Sequence, residues 1–306
     1  MNNGKVDWQG NFVAIATPFT QEGAIDEAKF KANVELMIEE GASGIVVCGC
    51  TGEAWALEAE ERLRLFALAR QAAGPKVPII GGTTQIVTGK AIELAQAAMK
   101  AGCDGVLAMP PYYAVIGPRE IHAYFKALSD GVRAPIFLYN MPKRTNINMP
   151  PEFIAELGKL EWIVALKQSS NDFNELERTL SLAGERISVF AGHSAERGFA
   201  AVMVGCPGFV SSMEAQVMGR EAISLYALAK AGNVMEGRRV QQRTIALDKA
   251  MRGVGTFPSN MKAAMNLLGR PGGYCRAPLL DLDADETSRV SEILTGLGLL
   301  DRARAA

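Results

Sequence analysis

Eight short apolar runs, each followed by an amphipathic stretch, constrain this chain more than any other feature. The runs occupy residues 12–16, 44–48, 77–80, 105–109, 135–139, 162–167, 187–190 and 208–212. Between them the periodicity predicts helices over 26–40, 58–73, a stretch ending near Gly102, 119–131, one opening at Pro150, 174–183 and one from Ala195. Asp26 suits an N-cap and Gly41 a stop. Strands apolar on both faces need cover on both faces, which a parallel sheet flanked by helices supplies. Eight such units, counting a helix after the last strand, fit a closed (β/α)8 TIM barrel of the α/β class better than an open doubly wound sheet. Residues 1–231 are therefore expected to form the barrel, and 232–306, which read as all helical, a C-terminal helical extension.

At 48% hydrophobic and 21% charged residues the chain has the balance of a well-buried enzyme. A net charge of −1 gives no field for gathering nucleic acid or an anionic membrane surface, so neither is expected as a partner. The opening Met1-Asn2-Asn3-Gly4-Lys5-Val6-Asp7 lacks the apolar core of a signal peptide, and no apolar run is long enough to span a bilayer. Five cysteines without Cys-x-x-Cys suggest neither a disulfide framework nor a zinc ribbon. Cys48 and Cys50, two apart on an expected strand, would face one way as small buried hydrophobes. The expectation is a reduced, cytoplasmic protein. Two histidines without ligand spacing argue against a metal-dependent aldolase, and no cofactor is called for.

Barrel chemistry collects at the carboxyl ends of the strands. Lys167 closes the run Trp162-Ile163-Val164-Ala165-Leu166. An ammonium stranded there is costly unless it is paired or its pKa falls, and a neutral amine attacks ketones to form a Schiff base. The alternative is a lysine that snorkels to solvent. Tyr139 ends the preceding run, so its phenol is a plausible neighbour for relaying protons; a ring merely capping the core is the competing account. Gly49-Cys50-Thr51-Gly52-Glu53 follows the second run. Its glycines let backbone N–H groups approach a carboxylate, with the Thr51 hydroxyl as a further donor, although a plain strand-to-helix turn would look similar. Arg144, after Pro142, could clamp a second carboxylate or lie solvated at the surface. Tyr112 and Tyr113 could line the mouth or pack at a subunit contact. His193 ends the seventh run and points toward the mouth, and Val210 on the eighth is a candidate wall of the substrate site.

From about Gly10 to Arg276 the chain resembles the dihydrodipicolinate synthase / N-acetylneuraminate lyase family of class I aldolases. The resemblance rests on Gly49-Cys50-Thr51-Gly52-Glu53, Tyr139-Asn140-Met141-Pro142 and Leu166-Lys167, in order and spacing. It implies a barrel assembled as a homotetramer (a dimer of dimers) that works on pyruvate or another 2-oxo acid and an aldehyde. Lys167 becomes the Schiff-base lysine, Tyr139 the proton relay, and Gly49 and Thr51 the carboxylate holders. Tyr113 matches a tyrosine that crosses a dimer contact, and Arg144, in Pro-x-Arg-Thr, matches the arginine that receives the aldehyde's carboxylate in the synthase branch.

Two departures stand out. Cys50 replaces the hydroxyl residue linking the two tyrosines, threonine in the synthases and serine in the lyases. A thiol is a weaker and longer hydrogen-bonding partner. The stretches matching the lysine-feedback pocket carry Trp55, Arg62, Ile86 and Lys90, the last in place of a glutamate. Lys90 would repel a lysine effector's ammonium, so no lysine inhibition is expected. The resemblance leaves open a synthase, a 2-oxo-3-deoxy acid aldolase or dehydratase, and a non-catalytic 2-oxo-acid binder.

Overall fold

The eight apolar runs become eight parallel strands, hydrogen-bonded in chain order and closed into a barrel in a computed structural model that describes residues 6–300. Residues 1–5, which carry most of the opening stretch considered above, and 301–306 lie outside that description. The strands are β1 (Gly10–Ala14), β2 (Gly44–Val47), β3 (Ile79–Gly82), β4 (Gly105–Ala108), β5 (Ile136–Asn140), β6 (Ile163–Gln168), β7 (Ser188–Ala191) and β8 (Gly208–Ser211). Between them run α1 (Glu27–Glu39), α2 (Ala59–Ala73), α3 (Thr88–Lys100), α4 (Pro118–Val132), the single turn α5 (Pro142–Thr145), α6 (Pro151–Leu157), α7 (Phe173–Ala183) and α8 (Ser194–Met203). Asp26 caps α1 by accepting from Lys29 N at 3.0 Å, and Gly41 ends it with φ 105°.

Three apolar layers hold this frame. Phe12, Phe137 and Phe190 fill the barrel interior edge to face at 5.2 Å, with Trp8 against Phe12 and Phe137. Each such buried ring stabilises the fold by about 2 kcal/mol. A second layer joins the outer strand faces to the helices. The third packs the C-terminal helices against Ala16, Val217, Met218 and Ala222.

Two parts depart from the expected pattern. The eighth unit carries three short helices, α9 (Met213–Met218), α10 (Arg220–Ile223) and α11 (Leu225–Lys230), broken where Gly219 takes φ 61°. Beyond residue 232, α12 (Val234–Met251), α13 (Ser259–Leu267) and α14 (Ala284–Gly296) are helical, but 268–283 is not. Gly269 and Gly273 have positive φ there, and Pro271 and Pro278 donate no backbone N–H. No helix among the described residues is long and apolar enough to cross a membrane.

One irregularity sets up the chemistry. β5 and β6 pair Ile136 with Ile163 but Phe137 with Ala165, so Val164 is an extra residue on β6. Val164 and Ala165 both join the interior layer, whereas Ile163 and Leu166 face the helices. Strict alternation from Val164 would put Gln168 inside and Lys167 outside; the bulge reverses the phase and turns Lys167 inward.

Candidate active site

Tyr139 and Lys167 are register partners at the ends of β5 and β6. The Lys167 Nζ sits 4.5 Å from the centroid of the Tyr139 ring. Lys167 is 8% exposed, and its amine makes no ion pair or hydrogen bond among the described residues. Burial lowers its pKa to about 8, against smaller opposing effects of Cys50 and Glu214. At neutral pH about a tenth of such an amine is therefore free base, compared with under a thousandth for an ordinary lysine. Burial also raises the Tyr139 phenol well above its usual range; Cys50 adds to this, while the Ser169 hydroxyl and the Arg144 cation oppose it. The phenol therefore stays protonated and is available as a donor.

The loop after β2 wraps around this pair. The amides of Gly52, Glu53 and Ala54 donate to the loop's own Gly49 and Cys50 carbonyls. Those of Cys50 and Thr51 make no hydrogen bond among the described residues, leaving two donors beside the Thr51 hydroxyl, which lies 2.9 Å from Ser212 Oγ. That is a workable carboxylate cradle. Cys48 and Cys50 do not share a strand face: β2 ends at Val47, and Cys48 turns through a left-handed φ of 55°. Burial pushes the Cys48 thiol up and leaves it inert, while Cys50 is half-buried and touches the Tyr139 phenol. Gly82 on β3 has no alternative, since a Cβ there would stand 2.0 Å from the Cys48 carbonyl oxygen.

Left-handed residues gather at this mouth. Cys48, Glu53 and His193 are three of the five non-glycine residues with positive φ among those described. Such backbone is held only where its surroundings over-determine it. For Glu53 the surroundings are explicit. The side chain is fully buried and ion-paired with Lys262 on α13, and its Oε2 accepts from Arg276 N at 3.2 Å. Lys262 Nζ also donates to the Thr17 and Tyr274 carbonyls, each at 2.7 Å, and the Thr17 hydroxyl donates to Gly52 O at 2.8 Å. The C-terminal helices thus fix the cradle.

A cleft of about 200 Å³ opens beside Tyr139, lined by Gly49, Cys50, Trp55, Arg62, Tyr112 and Arg144 among others. The Arg144 guanidinium lies over the Trp55 ring, 5.2 Å from its centroid. Lys90 does not line it. That lysine is exposed on α3, paired with Glu93 at 2.8 Å, so Arg62 and Arg144 are the cations a ligand here would meet.

The remaining candidates divide. Val210 is buried in the barrel interior. His193 reaches the mouth with Nε2 already 3.1 Å from the Ser169 carbonyl, and burial, then the Arg197 charge, lowers its pKa, leaving it neutral at pH 7. Tyr113 is 87% exposed, on an apolar loop away from this chain's own cleft, and His122 lies on α4. Sequence reasoning missed Glu214 and Lys262. Glu214 is buried just past β8, bonded to the Ser194 hydroxyl and to Ser212 N at 3.3 Å, and burial raises its pKa. Neither residue stands in a pattern that marks it out.

The comparisons with known proteins agree on this frame. A model of the dihydrodipicolinate synthetase family matches residues 7–297. A 4-hydroxy-tetrahydrodipicolinate synthase of Citrifermentans bemidjiense is 35% identical over 289 residues, covering 94% of this chain and 98% of its own. The crystal structure of dihydrodipicolinate synthase from Aquifex aeolicus superposes with a TM-score of 0.89 at 29% identity, over 95% of this chain and 99% of that one. YagE, a prophage protein of that family from E. coli K12 solved in complex with pyruvate, gives a TM-score of 0.91 at 25% identity, over 96% and 100% of the two chains. With nearly full-length matches of sequence and fold, this chain belongs to the dihydrodipicolinate synthetase family.

Proposed function

We propose that this lyase forms a Schiff base between Lys167 and pyruvate, and that the resulting enamine condenses with aspartate semialdehyde, as in a 4-hydroxy-tetrahydrodipicolinate synthase. The observation that carries this reading is the buried Lys167 amine, free of any carboxylate partner among the described residues and stacked on the Tyr139 ring. The neutral Nζ attacks C2 of the keto acid while the cradle of Cys50 and Thr51 amides holds its carboxylate. Tyr139 donates the proton with which the C2 oxygen departs as water. The protonated imine then takes the electron pair of a C3–H bond as that proton leaves, and the enamine carbon bonds to the aldehyde. Arg144 holds the aldehyde's carboxylate. YagE was solved with pyruvate, which supports the first half of the sequence.

A second reading runs the same imine chemistry on a 2-oxo-3-deoxy acid, which is cleaved or dehydrated. Cys50 favours it, because a thiol there weakens the link expected between Tyr139 and Tyr113. In either reading the protein acts in the cytoplasm as a homotetramer without an added cofactor, and the exposed Tyr113 loop, with Val115 beside it, supplies a subunit contact. The helices from residue 232 form the C-terminal extension that buttresses the barrel.

Pyruvate with borohydride, followed by peptide mass spectrometry, tests the shared step. A reduced pyruvyl adduct on Lys167, absent from Lys167→Ala, is expected; an unmodified Lys167 in folded protein refutes it. Micromolar-to-millimolar L-lysine should leave turnover unchanged, because the Arg62 guanidinium lining the cleft repels the effector's ammonium; abolished turnover would overturn this.

A further inference from the structure

One titratable group at the mouth has no part in the steps above. His193 follows β7, and Gly192 brings it there. Gly192 N donates to Gln168 O at 2.7 Å, and a Cβ on Gly192 would stand 1.8 Å from Ser169 Oγ, so only glycine lets the chain pass this close to the end of β6. The imidazole is thereby set against the Ser169 carbonyl, with Nε2 3.1 Å away. β6 and β7 pair Lys167 with Phe190 and Gln168 with Ala191, which puts the ring on the Lys167 side of the mouth, within reach of that lysine's charge. Burial first, then Arg197 and more weakly Lys167, lower the His193 pKa against the Ser169 carbonyl and Glu196, so the ring is neutral at pH 7. A carbonyl only accepts, so the single ring proton sits on Nε2 and Nδ1 keeps its lone pair. Among the described residues Nδ1 has no hydrogen-bond partner, and it is not sealed from solvent. The other candidate bases are engaged: the Tyr139 phenol holds its proton, and Glu214 is bonded to the Ser194 hydroxyl and to Ser212 N.

We propose that His193 Nδ1 takes the C3 proton of the imine between Lys167 and pyruvate, and delivers it to the aldehyde oxygen when the new carbon–carbon bond forms. The proposal rests on the Schiff-base reading. The C3–H electron pair becomes the C2=C3 bond of the enamine, and the imine π pair returns to nitrogen. Positive charge thus passes from the imine to the imidazole, and the pair never carries both charges. When the enamine carbon attacks the aldehyde, the C=O pair collects on oxygen, which takes the proton from Nδ1 and leaves the ring neutral again. Tyr139 keeps to C2: its phenol protonates the departing oxygen, and its phenolate recovers a proton from the water or amine that later displaces Lys167.

Exchange of the pyruvate methyl protons in D2O, followed by NMR, needs both the imine and a base, whereas borohydride trapping needs the imine alone. His193→Asn separates them. Asparagine tolerates the left-handed φ of 50°, and its amide can still donate to Ser169 O, but it carries no base. Trapping on Lys167 should persist while exchange falls roughly a hundredfold or more. Exchange that holds beside intact trapping makes the Tyr139 phenolate the acceptor and overturns the proposal. Loss of both together places His193 in imine formation or in structure, and also overturns it. Should H193N fail to fold, His193→Gly carries the test, since glycine suits the same backbone. Added imidazole should restore its exchange, and exchange indifferent to imidazole overturns the proposal. A wild type that is neither trapped nor exchanges fails at the Schiff base itself and takes this proposal with it. A trapped wild type whose exchange ignores His193 loses the proposal alone.

Discussion

Lys167 and Lys262 are both buried, at 8% and 1% exposure, and both amines lie over an aromatic ring, at 4.5 Å from Tyr139 and 4.8 Å from Phe19. Their company separates them. Lys262 has the Glu53 carboxylate in contact and two carbonyl acceptors, which fill the three donor positions of an ammonium. Lys167 has neither, and burial lowers its pKa to about 8. Burial alone does not make a lysine a nucleophile; burial without a counter-charge does. One lysine forms the bond in the proposed reaction, and the other holds in place the loop that presents the substrate to it.

Exchanging each amine for an apolar side chain should break the comparison most sharply. Lys167→Met removes a desolvated amine that nothing neutralises, so trapping should vanish while the urea midpoint holds or rises. Lys262→Met strands the buried Glu53 and should destabilise the fold by about 3–5 kcal/mol. Removing both charges with Glu53→Gln and Lys262→Met should recover most of that loss. Urea denaturation of the four proteins checks this. Equal losses for the two single methionine variants would mean that Lys167 is held by a partner after all.

How much of this the sequence discloses depends on distance along the chain. The eight-unit barrel is legible because each strand and helix signals itself within a dozen residues. Tyr139 and Lys167 are legible as neighbours because both end consecutive strands. Their inward phase is not legible, since it depends on Val164 being extra in the β5–β6 register, and a six-residue apolar run looks the same with or without a bulge. The Glu53–Lys262 pair joins residues 209 apart, and Lys262 sits in a helix that reads as ordinary. Arg62 is marked only by the resemblance to the feedback pocket: by its own pattern on α2 it follows Glu58, Glu60 and Glu61 and looks like one more surface charge until its burial is seen. Cys50 was expected on a strand, but the left-handed turn at Cys48 takes it into the loop. Contacts set by the closing of the barrel escape a reading that runs along the chain.

The protonation of Lys167 gives a finer measure of the contrast. Its trapping rate with pyruvate should rise with pH as ammonium becomes amine and level off above a midpoint near pH 8. A rate still climbing beyond pH 10 would mark a solvated lysine instead, and would remove the physical basis for choosing Lys167 as nucleophile.

Glu214 supplies the smallest and sharpest test, because among the described residues it is the carboxylate whose field reaches Lys167, where Glu53 meets Lys262 directly. It favours the ammonium, though less than burial opposes it. Burial also raises the pKa of Glu214 itself, with the Ser194 hydroxyl and the Ser212 amide opposing that rise. Glu214→Gln keeps the shape and most of the hydrogen bonding but removes the charge. The trapping midpoint should then move down, never up, and by less than burial has already moved it. An unmoved midpoint would show that Glu214 is neutral in the folded protein and that Lys167 meets no carboxylate charge at any range. An upward shift would mean that the glutamate had been aiding deprotonation, and the contrast between the two lysines would need another cause.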